Sequence, residues 1–78
     1  MKKDEVKYRK LIKRLGERIR LVRKKCGQSI SGAAEGMGIT SFQLWKLEAG
    51  GYPHVRLGFL WDLCEYYGVS LDEILQKD

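Results

Sequence analysis

Apolar and aromatic residues at Tyr8, Ile12, Leu15, Ile19, Val22 and Cys26 recur at intervals of 4, 3, 4, 3 and 4, with Lys and Arg filling most places between them. That period is a helical stripe with one inward face. Gly16 interrupts it, at about 1 kcal/mol relative to Ala. The pattern therefore predicts either one long helix or a frayed basic arm leading into a helix from about Leu15. Gly27 ends it, after Arg23, Lys24 and Lys25 in the last turn.

Four further helices follow from cap signals and spacing. Ser29 is a predicted N-cap for "ISGAAEGM", where Gly32 and Gly36 make a helix that only packing holds. Gly38 supplies a corner that takes positive φ. Thr40 and Gln43 form a Thr-x-x-Gln capping box that starts a helix at about Ser41, with Leu44 and Leu47 inward and Gly50-Gly51 at its close. "GGYPHV" is a turn. "RLGFLWDLCEYY" is the fourth helix, with Leu57, Leu60, Leu63, Cys64 and Tyr67 expected on one side, and Gly68 ends it. Ser70 and Glu73 form a second box before a short helix through Leu71, Ile74 and Leu75. Nothing alternates with the period of a strand, so the expected fold class is all-α.

Length and charge narrow the picture. With 78 residues there is one domain, and a chain this short buries roughly 60–65% of its unfolded surface. The net charge is +5, but its distribution says more: residues 1–25 hold 12 basic and 3 acidic side chains, whereas residues 26–78 hold 3 and 7. A basic helix or arm is joined to a mildly acidic body, which favours a polyanion as partner. Cys26, on the apolar seam, and Cys64, beside Leu63, are expected as buried free thiols. "MKKDEVKYRK" is charged throughout, so no secretory segment is visible. No apolar run approaches the roughly 20 residues that span a bilayer, and a cytoplasmic setting is the expectation.

Ala34 is followed four residues later by Gly38, ten later by Leu44 and thirteen later by Leu47. A small residue for close approach, a glycine corner and two leucines on the second helix are what two steeply crossing helices require. With this block, "GITSFQLWKLEAG", and the closing "GVSLDEIL", the chain resembles the Cro/lambda-repressor-like helix-turn-helix family, also called the xenobiotic-response-element type. The resemblance runs from "LGERIRLVRKKCG" to "YGVSLDEIL". It implies a compact five-helix lambda-repressor-like DNA-binding domain over 15–78, preceded by a basic arm or helix extension over 1–14.

The resemblance also implies roles. Arg23 and Glu48 fall where family members pair the first helix with the end of the third; such a pair serves geometry more than net stability. Thr40 caps the recognition helix and reaches a phosphate. Ser41, Phe42, Gln43 and Lys46 face the major groove, with Trp45 at their flank. Gln reads adenine through carbonyl and amide, Lys donates to guanine, and Phe meets a thymine methyl. Gln28, Ser29 and Arg56 are the expected further phosphate contacts, which set register. Ile30 stands where the family often places Gln, and the loop after the third helix holds only His54 where Lys and Arg are common. Phosphate affinity would then come largely from residues 1–25, with a salt slope of roughly −3 to −4 for three or four phosphates.

The remaining residue types suggest no other chemistry. Phe59, Trp61, Tyr66 and Tyr67 are expected as packing. His54 is the sole histidine, so neither a metal site nor catalysis is expected, and no cofactor, small molecule or membrane is implied. The implied function is a sequence-specific transcriptional regulator of the phage-repressor or controller-protein type. Its partner would be double-stranded DNA with a near-palindromic operator. It would bind as a homodimer through Leu71, Ile74 and Leu75, with half-sites roughly 34–36 Å apart. The alternative is a protein-interaction domain, adaptor or anti-repressor, that uses Phe42 and Trp45 on the same fold.

Overall fold

Five helices and no strand occur among the residues described by the computed structural model, 2–75, with side chains from Val6 onward. They are α1 (Lys2–Lys25), α2 (Ile30–Met37), α3 (Ser41–Glu48), α4 (Leu57–Tyr67) and α5 (Leu71–Leu75). Residues 1 and 76–78, the outer ends of the two segments expected from the sequence, lie outside the described residues. The helix ends follow their local chemistry. Ser29 Oγ accepts the Gly32 N–H at 3.0 Å. The Thr40 hydroxyl accepts the Gln43 N–H at 3.0 Å while Gln43 Oε1 accepts the Thr40 N–H at 2.8 Å, a complete capping box. Ser70 Oγ accepts from Glu73 N at 3.2 Å, the hydroxyl half of the second box.

The corner between α2 and α3 turns on Gly38, whose φ of 74° lies in the left-handed region where a Cβ is penalised. Its N–H donates to the Glu35 carbonyl, and the Ile39 N–H to that of Ala34. Ala33, Ala34, Leu44 and Leu47 then meet at the crossing, joined in one core by Leu15, Ile19, Leu60, Leu63, Cys64, Tyr67 and Ile74. Around this core Ile30, Tyr52, Phe59, Tyr66 and Leu71 are partly buried.

α1 is continuous through Gly16. Far from being a weak point, Gly16 is buried at a backbone contact. A Cβ there would lie 2.4 Å from the Leu47 carbonyl oxygen and 2.5 Å from that of Glu48. The absent side chain lets α1 cross the carboxyl end of α3 at main-chain distance. This crossing fixes where α3 stands.

Four expectations are corrected. Cys26 is exposed, because α1 ends at Lys25 and the helical seam no longer applies one residue later; Cys64 is buried, and burial raises its thiol pKa. Leu57 is 66% exposed, since it opens α4 beyond the reach of the other helices. Trp61, one turn on, is 58% exposed and donates its indole N–H to Glu65 Oε1 at 2.8 Å. Ile74 is only 1% exposed, so the core takes it and the expected dimer face is reduced to the half-buried Leu71 and the exposed Leu75.

Candidate nucleic-acid interface

α3 buries one face and offers the other. Leu44, Leu47 and Glu48 are buried, and Ser41, Phe42, Gln43 and Trp45 are exposed. At about 100° per residue, Phe42 and Lys46 lie opposite the buried leucines, with Trp45 and Gln43 on either flank. Phe42 is 63% exposed and Trp45 54%, their ring centroids 5.9 Å apart and tilted by 31°. Two large rings in tilted contact with each other leave apolar area uncovered, which is unfavourable until a partner removes it.

The acidic residue of α3 does not reach this face. Glu48 turns inward, where Arg23 Nε donates to Oε2 at 2.7 Å and Arg23 Nη2 to Oε1 at 3.0 Å. The third donor, Nη1, reaches the Gln28 carbonyl at 2.8 Å. One guanidinium thus ties the end of α1, the approach to α2 and the end of α3. The hydrogen bonds to Glu48 raise the Arg23 pKa against the opposing effect of burial. A buried pair of this kind adds little net stability relative to apolar side chains, yet removing one partner is severe. Its service is to hold α3 in one orientation and to keep its outer face free of negative charge.

The polar side chains on that face are held by scaffold contacts. Gln43 Oε1 is engaged by the Thr40 N–H, so its amide NH2 is the end presented outward. Lys46 is half-buried, its ammonium 4.8 Å from the ring centroid of Tyr52 in the α3–α4 loop. Arg56 is exposed at the N-cap of α4, making no side-chain capping bond there. Ser29 is engaged as the cap of α2. Gln28 turns inward: its amide donates to Tyr66 Oη at 2.8 Å, and its Oε1 is buried with no hydrogen-bond partner among the described residues. Ser41, Phe42, Gln43, Trp45 and Lys46 therefore share one surface with Thr40 at its edge, while Gln28 is directed into the fold.

Sequence reasoning missed Tyr52 and the groove beside it. Tyr52 carries Lys46 on its face. With His54 it borders two adjacent hollows, one toward Gln43, Arg56 and Phe59 and one toward Tyr8, Arg9 and Lys13 of α1. The signal was an aromatic residue beside Pro53 in a turn, but its partners come from elements remote in sequence. Among the described residues no group of three or more His, Cys, Asp or Glu is placed to hold a metal ion. No described helix is long and apolar enough to cross a membrane.

The profile of a family described as a helix-turn-helix domain matches residues 14–76. No curated protein and no solved structure gives a significant match. The chain belongs to the helix-turn-helix domain family, consistent with the Cro-like resemblance of its sequence, and the crossing of α2 and α3 at Gly38 is the motif itself.

Proposed function

We propose that this helix-turn-helix chain is a sequence-specific DNA-binding transcriptional regulator, of the phage-repressor or controller-protein type, that reads the major groove with α3. The observation that carries the reading is the outer face of α3: two exposed aromatics, a Gln amide and a Lys, with its one carboxylate withdrawn to Arg23. Phe42 meets thymine methyls, the Gln43 amide and Lys46 donate to base edges, and Arg56 and Thr40 take phosphates. A subset of the α1 cations supplies most of the salt-dependent affinity. In this reading the protein acts in the cytoplasm as a homodimer on a near-palindrome, with Leu71 and Leu75 in the interface.

Selection of bound duplexes from random DNA tests it. A preferred motif is expected, and Lys46→Ala should lose roughly 1–3 kcal/mol of discrimination at one base pair while keeping the fold. Failure of the wild type to enrich any motif would overturn the reading. The exposed, adjoining rings of Phe42 and Trp45 favour one second reading, a protein-only interaction surface. That reading predicts no enrichment from DNA and loss of a protein complex in Phe42→Ala.

A further inference from the structure

We infer that the groove between the amino-terminal half of α1 and the α3–α4 loop binds backbone phosphate of the duplex flanking the bases that α3 reads, with Arg9 and Lys13 as the cations. This rests on the DNA reading above and assigns residues outside the family match, which begins at residue 14.

The groove has a volume of about 520 Å³, and among the described residues its lining contains no Asp or Glu. Arg9 and Lys13 stand on one wall. Tyr52, His54 and the main chain of Ala49, Gly50 and Gly51 form the other. The walls are in firm contact: a Cβ on Gly50 would sit 2.9 Å from the Lys13 Cα. Arg9 and Lys13 are four residues apart on a helix, hence neighbours on one face at about 5–6 Å between Cβ atoms.

Three observations point to phosphate next to the α3 surface. First, Tyr52 and His54 also line the adjoining hollow that contains Gln43 and Arg56, so one track runs from the reading helix to α1. That second lining likewise has no carboxylate among the described residues. Second, cations stand at both ends of the track, Arg56 at one and Arg9 with Lys13 at the other, and Lys46 lies over the ring of the shared Tyr52. Third, the α3–α4 loop holds no Lys or Arg between Gly50 and Val55, whereas α1 has seven basic side chains and one acidic, Glu17, between Val6 and Arg20. The helix supplies beside the loop the charge that the loop lacks. Partly apolar walls of Tyr8, Ile12 and Pro53 strengthen the field on an anion in the groove.

The test compares Arg9→Gln/Lys13→Gln with Lys7→Gln/Lys10→Gln. The second pair removes equal charge from the same stretch of helix at exposed positions that do not line the groove. The probe is the duplex selected by the wild type, used once trimmed to the preferred bases and once extended by about one helical turn, roughly 10 bp, on each side. On the extended duplex the groove variant should flatten the slope of log K against log salt by about 2, at about 0.9 for each phosphate lost. Its base preference should be unchanged, and its deficit should vanish on the trimmed duplex. The control pair should keep the wild-type slope. An unchanged slope in the groove variant, an equal loss in the control pair, or the same deficit on both duplexes would each overturn the assignment. In all three cases the wild type would still bind its motif, leaving the DNA reading standing. A wild type that selects no motif removes that reading and this assignment with it.

Discussion

Replacing Gly16 by Ala should destabilise the protein even though it improves the helix. In a helix interior the exchange ordinarily gains about 1 kcal/mol, because glycine loses more backbone freedom on folding. Here the new methyl would stand 2.4 Å from the Leu47 carbonyl oxygen and 2.5 Å from that of Glu48, against ordinary contacts of 3.4–4 Å. Both obstacles are main chain, so no rotamer change relieves them. α1 and α3 must part by about 1 Å, a shift that also strains the Arg23–Glu48 pair and the packing of Leu15 and Ile19. Overpacking of a close contact costs about 1–3 kcal/mol, and a backbone-on-backbone clash belongs at the upper end. Setting about 3 against the gain of about 1 leaves a net loss near 2 kcal/mol. At about 4–8 °C per kcal/mol for a domain of this size, the melting temperature should fall by about 8–16 °C. Gly58, a helical glycine of α4 with nothing within 4 Å of its Cβ direction, is the matched comparison. Gly58→Ala should raise stability by about 0.5–1 kcal/mol. Thermal and urea unfolding followed by far-UV circular dichroism measures both. A Gly16→Ala protein that melts at or above the wild type would refute the main-chain crossing of α1 and α3.

Arg23→Met strands a buried carboxylate and should cost about 3–5 kcal/mol in urea unfolding, whereas Arg23→Met/Glu48→Leu should recover most of it; equal losses in the two would show that the pair is not dry. The Tyr67 hydroxyl pKa is pushed up to about 12, mainly by burial and then by the Glu48 charge. The unfolded tyrosine, near 10, loses its proton first, so this contribution to stability is complete below pH 10 and declines as pH rises toward 12. Tyr67→Phe, which deletes a buried hydroxyl with no hydrogen-bond partner among the described residues, should flatten that decline and stay within about 1 kcal/mol of wild type at neutral pH; an equally steep decline in the variant would sink this account. Gln43→Glu retains an acceptor for the Thr40 N–H and places negative charge at a helix start, so its melting temperature should hold or rise slightly. Its DNA affinity should drop because the outward amide donor is gone, and undiminished binding would remove Gln43 from the reading surface.

The helices were legible because their signals are local. Ser29, Thr40 and Ser70 each bond to a backbone N–H three residues away, and the spacing of Ala34, Gly38, Leu44 and Leu47 is a short-range pattern. The surface of α3 was legible for the same reason, since two inward leucines define the outward side of an eight-residue helix. What escaped was set by meetings between distant segments. Gly16 reads as a weak place in a helix until the carbonyls of Leu47 and Glu48 are seen against it. Gln28 reads as a surface amide until Tyr66, 38 residues on, takes its hydrogen. Cys26 and Leu57 fit a helical stripe by number, yet each lies at a helix end where the stripe has no neighbour to pack on. Ile74 fits an outward face of α5 equally well, and α1 and α4 closing over that helix decided the matter.

Scaffold and proposed reading surface share side chains in α3, which bears on how the protein would discriminate sequences. Gln43 spends a carbonyl lone pair on the helix cap, and Lys46 leans on Tyr52, so neither hangs free as a long flexible reader. Their position is settled before any partner arrives, which lowers the ordering entropy of binding at the expense of adaptability. For Gln43 the cap also biases chemistry: the outward NH2 is a donor suited to purine N7 or guanine O6, while the two-point adenine contact must share the capped oxygen. Phe42 and Trp45 remain the large groups not committed to the scaffold. In the proposed function they make α3 a reader of methyl groups and groove shape more than of charge. Electrostatic grip must then come from elsewhere, and α1, held against the end of α3 at Gly16 and against the α3–α4 loop at Gly50, stands where it would be supplied. Base preference and salt dependence would accordingly reside on different helices.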